Sequence, residues 1–295
     1  MLSFKFSYNG ITINDSSTFN RRGISISDVS GISRPDVIHS SVDLVGQHGM
    51  VDYYSFIGKR LITLTGQIVG TDEDDCFTQI DAFTKAFNLP TIPDASDTGY
   101  RTLSWTKDGQ STYQIQAKIH SLPLITKTMK VKRKRTFHVA FRCQNPRIVS
   151  SGITTSNILK TYALYSLPMA LPAPIGYDAG YSNEVIVTND GNFGAEPTII
   201  IYGPCENPKI LNTVKTDLYQ QFNITLADGE YITVDVINGT ATHSDGSDAL
   251  VYETDDSKSI QILSGDNTIR FETDDNSPTA YITISFRDTW MSSPR

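Results

Sequence analysis

Phe222-Asn223-Ile224-Thr225-Leu226, then Asp228-Gly229, then Tyr231-Ile232-Thr233-Val234-Asp235-Val236, then Asn238-Gly239: apolar and polar residues alternate at period two on both sides of an Asp-Gly, and an Asn-Gly follows. Period two places alternate side chains on opposite faces of a strand. Asp-Gly and Asn-Gly accept positive φ at low steric cost, which tight turns require. The stretch reads as strand, turn, strand, turn. The same grammar continues on both sides. Glu184-Val185-Ile186-Val187 leads to Asn189-Asp190-Gly191-Asn192, and Pro197-Thr198-Ile199-Ile200-Ile201-Tyr202 ends at Gly203-Pro204. Leu250-Val251-Tyr252, Ser259 to Leu263, Thr268 to Phe271 and Tyr281 to Phe286 complete the run. About eight short strands without a helix signal predict an antiparallel sandwich over residues 181–295.

The first half is also strand-rich. Ile24-Ser25-Ile26-Ser27, Leu61 to Ile68 and Thr136 to Cys143 alternate at period two. Thr102 to Thr106 and Tyr113 to Ile119 flank Lys107-Asp108-Gly109-Gln110, which reads as a hairpin. One segment differs. Phe77, Ile80, Phe83, Ala86 and Phe87 recur at helical spacing behind the acidic run Asp72 to Asp75, and Pro90 closes it. A single helix is expected at about 75–88. Pro168, Pro172 and Pro174, with Gly176 and Gly180, predict an extended connection over 151–180. The expected organisation is therefore an N-terminal β domain over 1–150, this connection, and the sandwich.

Length and composition agree with that division. A chain of 295 residues suits two domains, and 39% hydrophobic residues supply real cores. No apolar run is long enough for a membrane-spanning helix, and the N-terminus reads as lacking a secretory signal. The net charge of −7 excludes a generally basic nucleic-acid binder. The charge is divided: residues 1–150 hold 18 Lys+Arg against 13 Asp+Glu, a net of +5, and residues 151–295 hold 7 against 19, a net of −12.

Catalytic patterns are absent. His39, His48, His120, His138 and His243 are scattered, with no H-E-x-x-H and no G-x-S-x-G elbow. Cys76, Cys143 and Cys205 are far apart, which supports buried free thiols rather than a zinc site or disulfide framework. The acidic groups at 72–75, 255–256 and 274–275, and the loop His243 to Asp248, lack calcium-loop spacing and read as caps and solvated turns. No catalytic, cofactor-binding or metal-ligating set is expected, and the protein reads as non-enzymatic. Trp105 and Trp290 are the only tryptophans available to stack a sugar ring, and Trp290 reads as an anchor for the chain end.

The basic run is the most informative charge feature. Lys127, Lys130, Lys132, Arg133, Lys134 and Arg135 put six cations in nine positions without Gly or Pro. Read as a strand, it places Lys130, Lys132 and Lys134 on one face and Arg133 and Arg135 on the other. Such a run blunts an exposed sheet edge, docks on an acidic subunit or contacts phosphate. The aromatic interleaving typical of single-strand stacking is missing.

Several of these residues together resemble a family. Asn189-Asp190-Gly191-Asn192, Glu196 to Pro204, Asn207-Pro208-Lys209-Ile210, Leu226 to Asp235, Ser264-Gly265-Asp266-Asn267-Thr268-Ile269-Arg270-Phe271 and Phe286-Arg287-Asp288-Thr289-Trp290 resemble, in order and spacing, the C-terminal domain of siphophage distal tail proteins (the Dit family). Phe141-Arg142-Cys143-Gln144-Asn145-Pro146 and the single helix fit the N-terminal domain of that family. The resemblance implies a mainly β fold: an N-terminal β-sandwich or split barrel that forms a ring, and a C-terminal galectin-like antiparallel sandwich. It implies a structural virion protein at the tail tip, made in the host cytoplasm. Six copies would form a ring joining the tail tube protein above to hub and receptor-binding proteins below, with a lumen through which DNA passes without specific binding. No long insertion at 90–125 provides an arm to grip receptor-binding proteins. Lys127 to Arg135 would meet a neighbour or line the lumen. The alternative function is a lectin-like module that binds saccharide on the host surface.

Overall fold

The computed structural model describes residues 4–14, 23–45, 48, 50–88, 98–107, 111–127, 132–159, 183–275 and 279–293. The chain divides into two compact units, residues 1–151 with 290–295, and residues 152–289. Both are antiparallel β, and among the described residues there is one α-helix. No helix there is long and apolar enough to cross a membrane.

In the first unit, β1 (Phe4–Tyr8), β2 (Ile11–Ile13), β3 (Gly23–Ser30), β4 (Val37–Asp43), β5 (Met50–Ile57), β6 (Arg60–Val69), α1 (Glu73–Ala86), β7 (Arg101–Lys107), β8 (Thr112–Lys127), β9 (Lys134–Cys143) and β10 (Ile148–Ser150) follow in order. The main sheet runs β2-β1-β7-β8-β9-β6-β3. Its two edges meet where the Asn14 N–H donates to Ile24 O at 2.8 Å, so the sheet curls around its core. The predicted hairpin around residue 108 is present, with Trp105 opposite Tyr113. Gly66 is required in β6: a Cβ there would lie 2.0 Å from Ser25 O and 2.7 Å from the Phe137 ring.

Helix α1 begins two residues earlier than expected. Asp72 caps it, accepting from the Asp75 N–H at 2.8 Å, and Glu73, Asp74 and Asp75 fill the first turn. The acidic run is thus the start of the helix rather than its prelude. The buried stripe is Cys76, Phe83, Ala86 and the C-cap Phe87, with Ile80 at its margin. Phe77, expected on that stripe, lies outside it, and the Arg135 guanidinium sits over its ring at 5.4 Å. Phe83 meets Phe137 at 4.8 Å, and Phe87 stacks on Tyr8 at 5.3 Å. These rings close one end of the core.

The second unit contains β11 (Thr154–Leu159), β12 (Glu184–Asn189), β13 (Thr198–Tyr202), β14 (Cys205–Glu206), β15 (Lys209–Asn212), β16 (Tyr219–Gln221), β17 (Thr225–Leu226), β18 (Tyr231–Asp235), β19 (Thr240–His243), β20 (Gly265–Glu272) and β21 (Tyr281–Phe286). A five-stranded sheet, β11-β21-β13-β18-β19, and a four-stranded sheet, β12-β20-β15-β16, enclose one core, with β14-β17 as a short third pair. Ile199, Ile201, Ile232, Ile282 and Ile284 line the inner side of the first sheet, and Ile210, Ile269 and Phe271 that of the second.

Several local expectations change, and Ser259 to Leu263, read as a strand, makes only the isolated bridge of Ile262 with Ala195. Strand β11 occupies part of the stretch read as a connection and pairs with β21, while residues 160–182, with the prolines, lie outside the described residues. The turn at Asp228-Gly229 exists, with Gly229 at φ +85°, but it links β17 to β18, which belong to different sheets. Asn238-Gly239 does close a hairpin, with Asp235 opposite Thr240. Leu250–Tyr252, read as a strand, is a 3₁₀ turn: Asp248 Oδ1 accepts from the Leu250 N–H at 2.9 Å, and the local bond displaces a ladder bond.

The chain then returns to the first unit through β22 (Thr289–Trp290), which pairs with β10. Trp290 packs edge-on against Tyr113 at 5.0 Å, as expected of a chain-end anchor. Arg60, fully buried, donates to the carbonyls of Pro146 (2.8 Å), Gly31 (2.8 Å), Ile32 (2.7 Å) and Met291 (2.5 Å).

Candidate interaction surfaces

The basic run is not a continuous strand. Strand β8 ends at Lys127, Lys132 and Arg133 form a turn, and β9 starts at Lys134, so Lys127 and Arg135 face each other across a hairpin. The alternating-face reading fails because a strand cannot be regular through a turn. Lys130 and the side chain of Lys127 lie outside the described residues. Lys132 and Arg133 are exposed and Lys134 is half-buried. Arg135 is only 5% exposed. Its guanidinium donates to the carbonyls of Lys132 (2.6 Å) and Lys134 (3.0 Å) and stands 3.7 Å from Glu73. The Gly70 N–H donates to Arg133 O at 3.0 Å. The tip is therefore tied to the start of α1, and part of its charge is answered within the unit.

A second surface has no clear period in the sequence. Strands β4 and β5 form a separate two-stranded sheet, an arm of roughly 25 Å at about 3.3 Å per residue. Every residue of both strands is exposed. The register places Ile38 opposite Phe56, Ser40 opposite Tyr54, and Val42 opposite Val51 on one face. The other face pairs Val37 with Ile57, His39 with Ser55, Ser41 with Asp52 and Asp43 with Met50, and is mixed. His39 and Ser55 share a hydrogen bond of 2.9 Å. The register shift between Ser40 and Ser41, where Tyr53 is the extra residue, keeps Val42 and Val51 on the face of Ile38 and Phe56. The available signal was the apolar content of Val37-Ile38 and Tyr53 to Ile57. It was lost because the arm has no core of its own to impose strict alternation.

In the second unit the residues that carried the family resemblance turn out to be structural. Asn189 is buried; its amide donates to Phe193 O and Ile262 O, and its oxygen accepts from the Gly191 and Thr289 N–H groups. Asn267, also buried, donates to Leu263 O and Gly265 O and accepts from the Asn212 amide at 2.8 Å. These satisfied amides pin the loops of the sandwich. In the loop His243 to Asp248, Asp245 accepts from the Ser247 N–H at 2.8 Å and stands 3.1 Å from His243 Nδ1. Bonds from Ser247, then His243, hold its carboxyl down at about 2. Among the described residues no three His, Cys, Asp or Glu side chains gather where a metal ion could sit. Both tryptophans are buried, so neither presents a ring to a sugar. Tyr202, Tyr231 and Tyr281 form a ladder on the outer face of the five-stranded sheet, with Tyr202 and Tyr281 stacked at 4.3 Å.

No protein-family model matches the chain, and no curated protein matches it. Among solved structures, the Dit protein of phage SPP1, presented as a paradigm of the hub adsorption apparatus in phages infecting Gram-positive bacteria, superposes with a TM-score of 0.62 at 12% identity, over 97% of this chain and 98% of that one. The chain has the Dit fold. The baseplate of phage P2 in its activated conformation, with Ca and with Sr, also matches, at TM-scores of 0.39 and 0.40, 11% identity, and coverage of 96% and 97%. The match to the SPP1 protein runs through both units.

Proposed function

We propose that the protein is a structural component of a phage tail tip: a Dit-type hub whose first unit closes into a hexameric ring between the tail tube and the adsorption apparatus, leaving a channel for DNA. The observation that carries this reading is the whole-chain match to the SPP1 hub protein. Two features support it: Asp72, Asp245 and Asp248 serve as caps and turn acceptors, and the first unit carries a large uncovered arm. In this reading Lys132, Arg133 and Lys134, with Lys127 and Lys130, face a neighbour or the lumen, whereas Arg135 is internal. The chain would be made in the host cytoplasm and end in the virion tail tip. Light scattering on the full chain should give a multiple of 32.6 kDa, and negative-stain images should show rings. A monomer at every concentration, without rings on addition of tail tube protein, refutes the proposal.

The second reading, a saccharide-binding module, is favoured only by the tyrosine ladder. Tyr202 and Tyr281 cover each other's faces, which leaves Tyr231 as the ring most open to a sugar. Glycan-array binding abolished by Tyr231→Ala would support it, and no binding would dismiss it.

A further inference from the structure

We infer that Asn238 is a site of spontaneous deamidation in the folded chain, and that the Asp235 carboxylate is the guard that sets its rate. The inference goes beyond the tail-tip reading and does not depend on it. Two Asn-Gly steps occur in the sequence, Asn9-Gly10 and Asn238-Gly239. The reaction needs the backbone nitrogen of the following residue to reach the Asn amide carbon, and a glycine there has no Cβ to obstruct the approach. That nitrogen gives its proton to hydroxide and forms a bond to Cγ. The Cγ–Nδ2 bond breaks, and Nδ2 takes a proton from water and leaves as ammonia. Water then opens the five-membered imide at either carbonyl, which gives aspartate or isoaspartate. Only water is consumed and only ammonia is released.

The fold holds the two steps differently. Asn9 and Gly10 both have positive φ, +46° and +83°, in the turn between β1 and β2. Asn9 Nδ2 donates to Ala86 O, on the last residue of α1, at 2.9 Å. Freeing that amide requires the turn to part from the helix end, beside the stack of Tyr8 on Phe87. Asn238 is held locally. Its N–H donates to Asp235 Oδ1 at 3.1 Å and its Nδ2 to Asp235 Oδ2 at 2.7 Å. Asn238 and Gly239 are both exposed, and a Cβ added at Gly239 would meet nothing within 4 Å. There is room for the ring to close. Asp235 opposes closure in two ways. Its oxygens draw the carboxamide back toward residue 235, away from the Gly239 nitrogen, and its charge disfavours the oxyanion that forms on Cγ. An exposed clamp of this kind is weak. Asn238 therefore reacts while the chain is folded, and Asn9 does not.

The product changes the hairpin. Aspartate at 238 sets a second carboxylate where Asp235 Oδ2 now accepts a bond, so attraction becomes repulsion. Isoaspartate also lengthens the backbone of the turn that brings Asp235 opposite Thr240. Strand β19 lies at the edge of the five-stranded sheet, so the loosening enters at a strand held by one neighbour.

The test ages the full chain in mildly alkaline buffer, folded and in urea, and follows both Asn-Gly peptides by mass spectrometry. Three forms are compared: wild type, Asp235→Ala and Asp235→Ser. Both substitutions remove the two-oxygen clamp, so either one reports if the other folds poorly. In folded wild type, Asn238 should convert while Asn9 stays intact, and in urea both should convert. The two variants should speed conversion of folded Asn238 by about two- to tenfold, the gain in open turn when one or two net hydrogen bonds are lost. Their rates in urea should equal that of wild type. Amide exchange across 240–243 should quicken in the converted chain. Asn9 converting as fast as Asn238 in the folded chain, or a folded Asn238 that stays intact, overturns the choice of site. Folded variants no faster than wild type, or a difference that persists in urea, overturn the role of Asp235. Unchanged exchange across 240–243 overturns the effect on the sheet edge.

Discussion

Arg60 shows what one side chain does at the point where the chain leaves and re-enters the first unit. Its guanidinium binds four carbonyls, from Gly31, Ile32, Pro146 and Met291, that are distant in sequence. Burial pushes its pKa down, although an arginine so solvated by carbonyl dipoles stays charged. Arg60→Met should destabilise the first unit by about 2–4 kcal/mol, because four carbonyl acceptors, one buried and three part-buried, lose a charged donor. Arg60→Lys should cost less, since an ammonium keeps the charge but not the fork. Both tryptophans, Trp105 and Trp290, belong to the first unit, so urea unfolding followed by tryptophan fluorescence reads this change directly. The cysteines give a second residue-scale prediction. Burial pushes the Cys143 thiol up to about 12 and raises Cys76, and all three cysteines are buried and outside any disulfide. A thiol reacts as its thiolate. An aromatic disulfide reagent at about pH 8 should therefore label none in the native chain and three after unfolding; a fast-reacting native thiol would contradict the packing.

Among the elements, helix α1 and the basic hairpin stabilise each other. Asp72→Ala removes the cap that accepts from Asp75 and should cost about 1 kcal/mol, read from the same fluorescence melt. Arg135→Ala removes the two carbonyl bonds that close the tip of β8-β9 and the stack on Phe77. The Glu73 contact is half-exposed and adds little. Amide exchange in residues 132–136 should accelerate in Arg135→Ala while β6 stays protected; an unchanged tip would show that the turn needs no clamp. These elements also show how far the sequence was legible. Alternation located β6, β9, β18 and β21 because each has one face on a core. The helix was found, but Phe77 stood in for Cys76, since spacing cannot tell which of two adjacent residues faces inward. The 3₁₀ turn at 250–252 was read as a strand because its deciding bond comes from the Asp248 side chain. The basic run was misread as a strand because six cations offer no period. The β4-β5 arm was missed because it packs on no core, so nothing imposes strict alternation on it.

For the whole molecule, the second unit is an insertion in the first. The sequence suggested two consecutive domains with a proline-rich stretch between them. The structure instead closes the first unit with residues from both ends of the chain. A short return strand beginning near Thr289 carries no periodic signal, and only the position of Trp290 hinted at it. The return has energetic content. Trp290 is buried against Tyr113, Met291 O accepts from Arg60, and the Ser293 N–H donates to Ile32 O at 3.3 Å. Strand β22 pairs with β10, so the chain enters and leaves the first unit on neighbouring strands about 4.8 Å apart. A chain in which residues 1–151 are joined to 290–295 by a short Gly/Ser linker should fold and unfold cooperatively, with tryptophan fluorescence close to that of the full protein. A chain of residues 1–151 alone loses the buried indole and the Arg60 acceptor together. It should be less stable than the joined form by more than about 3 kcal/mol, the cost typical of deleting a buried tryptophan. Equal denaturation midpoints for the two would show that the C-terminal return is ornamental to the first unit. A large gap would establish that the unit proposed to build the ring is completed only after the second unit has been threaded through it.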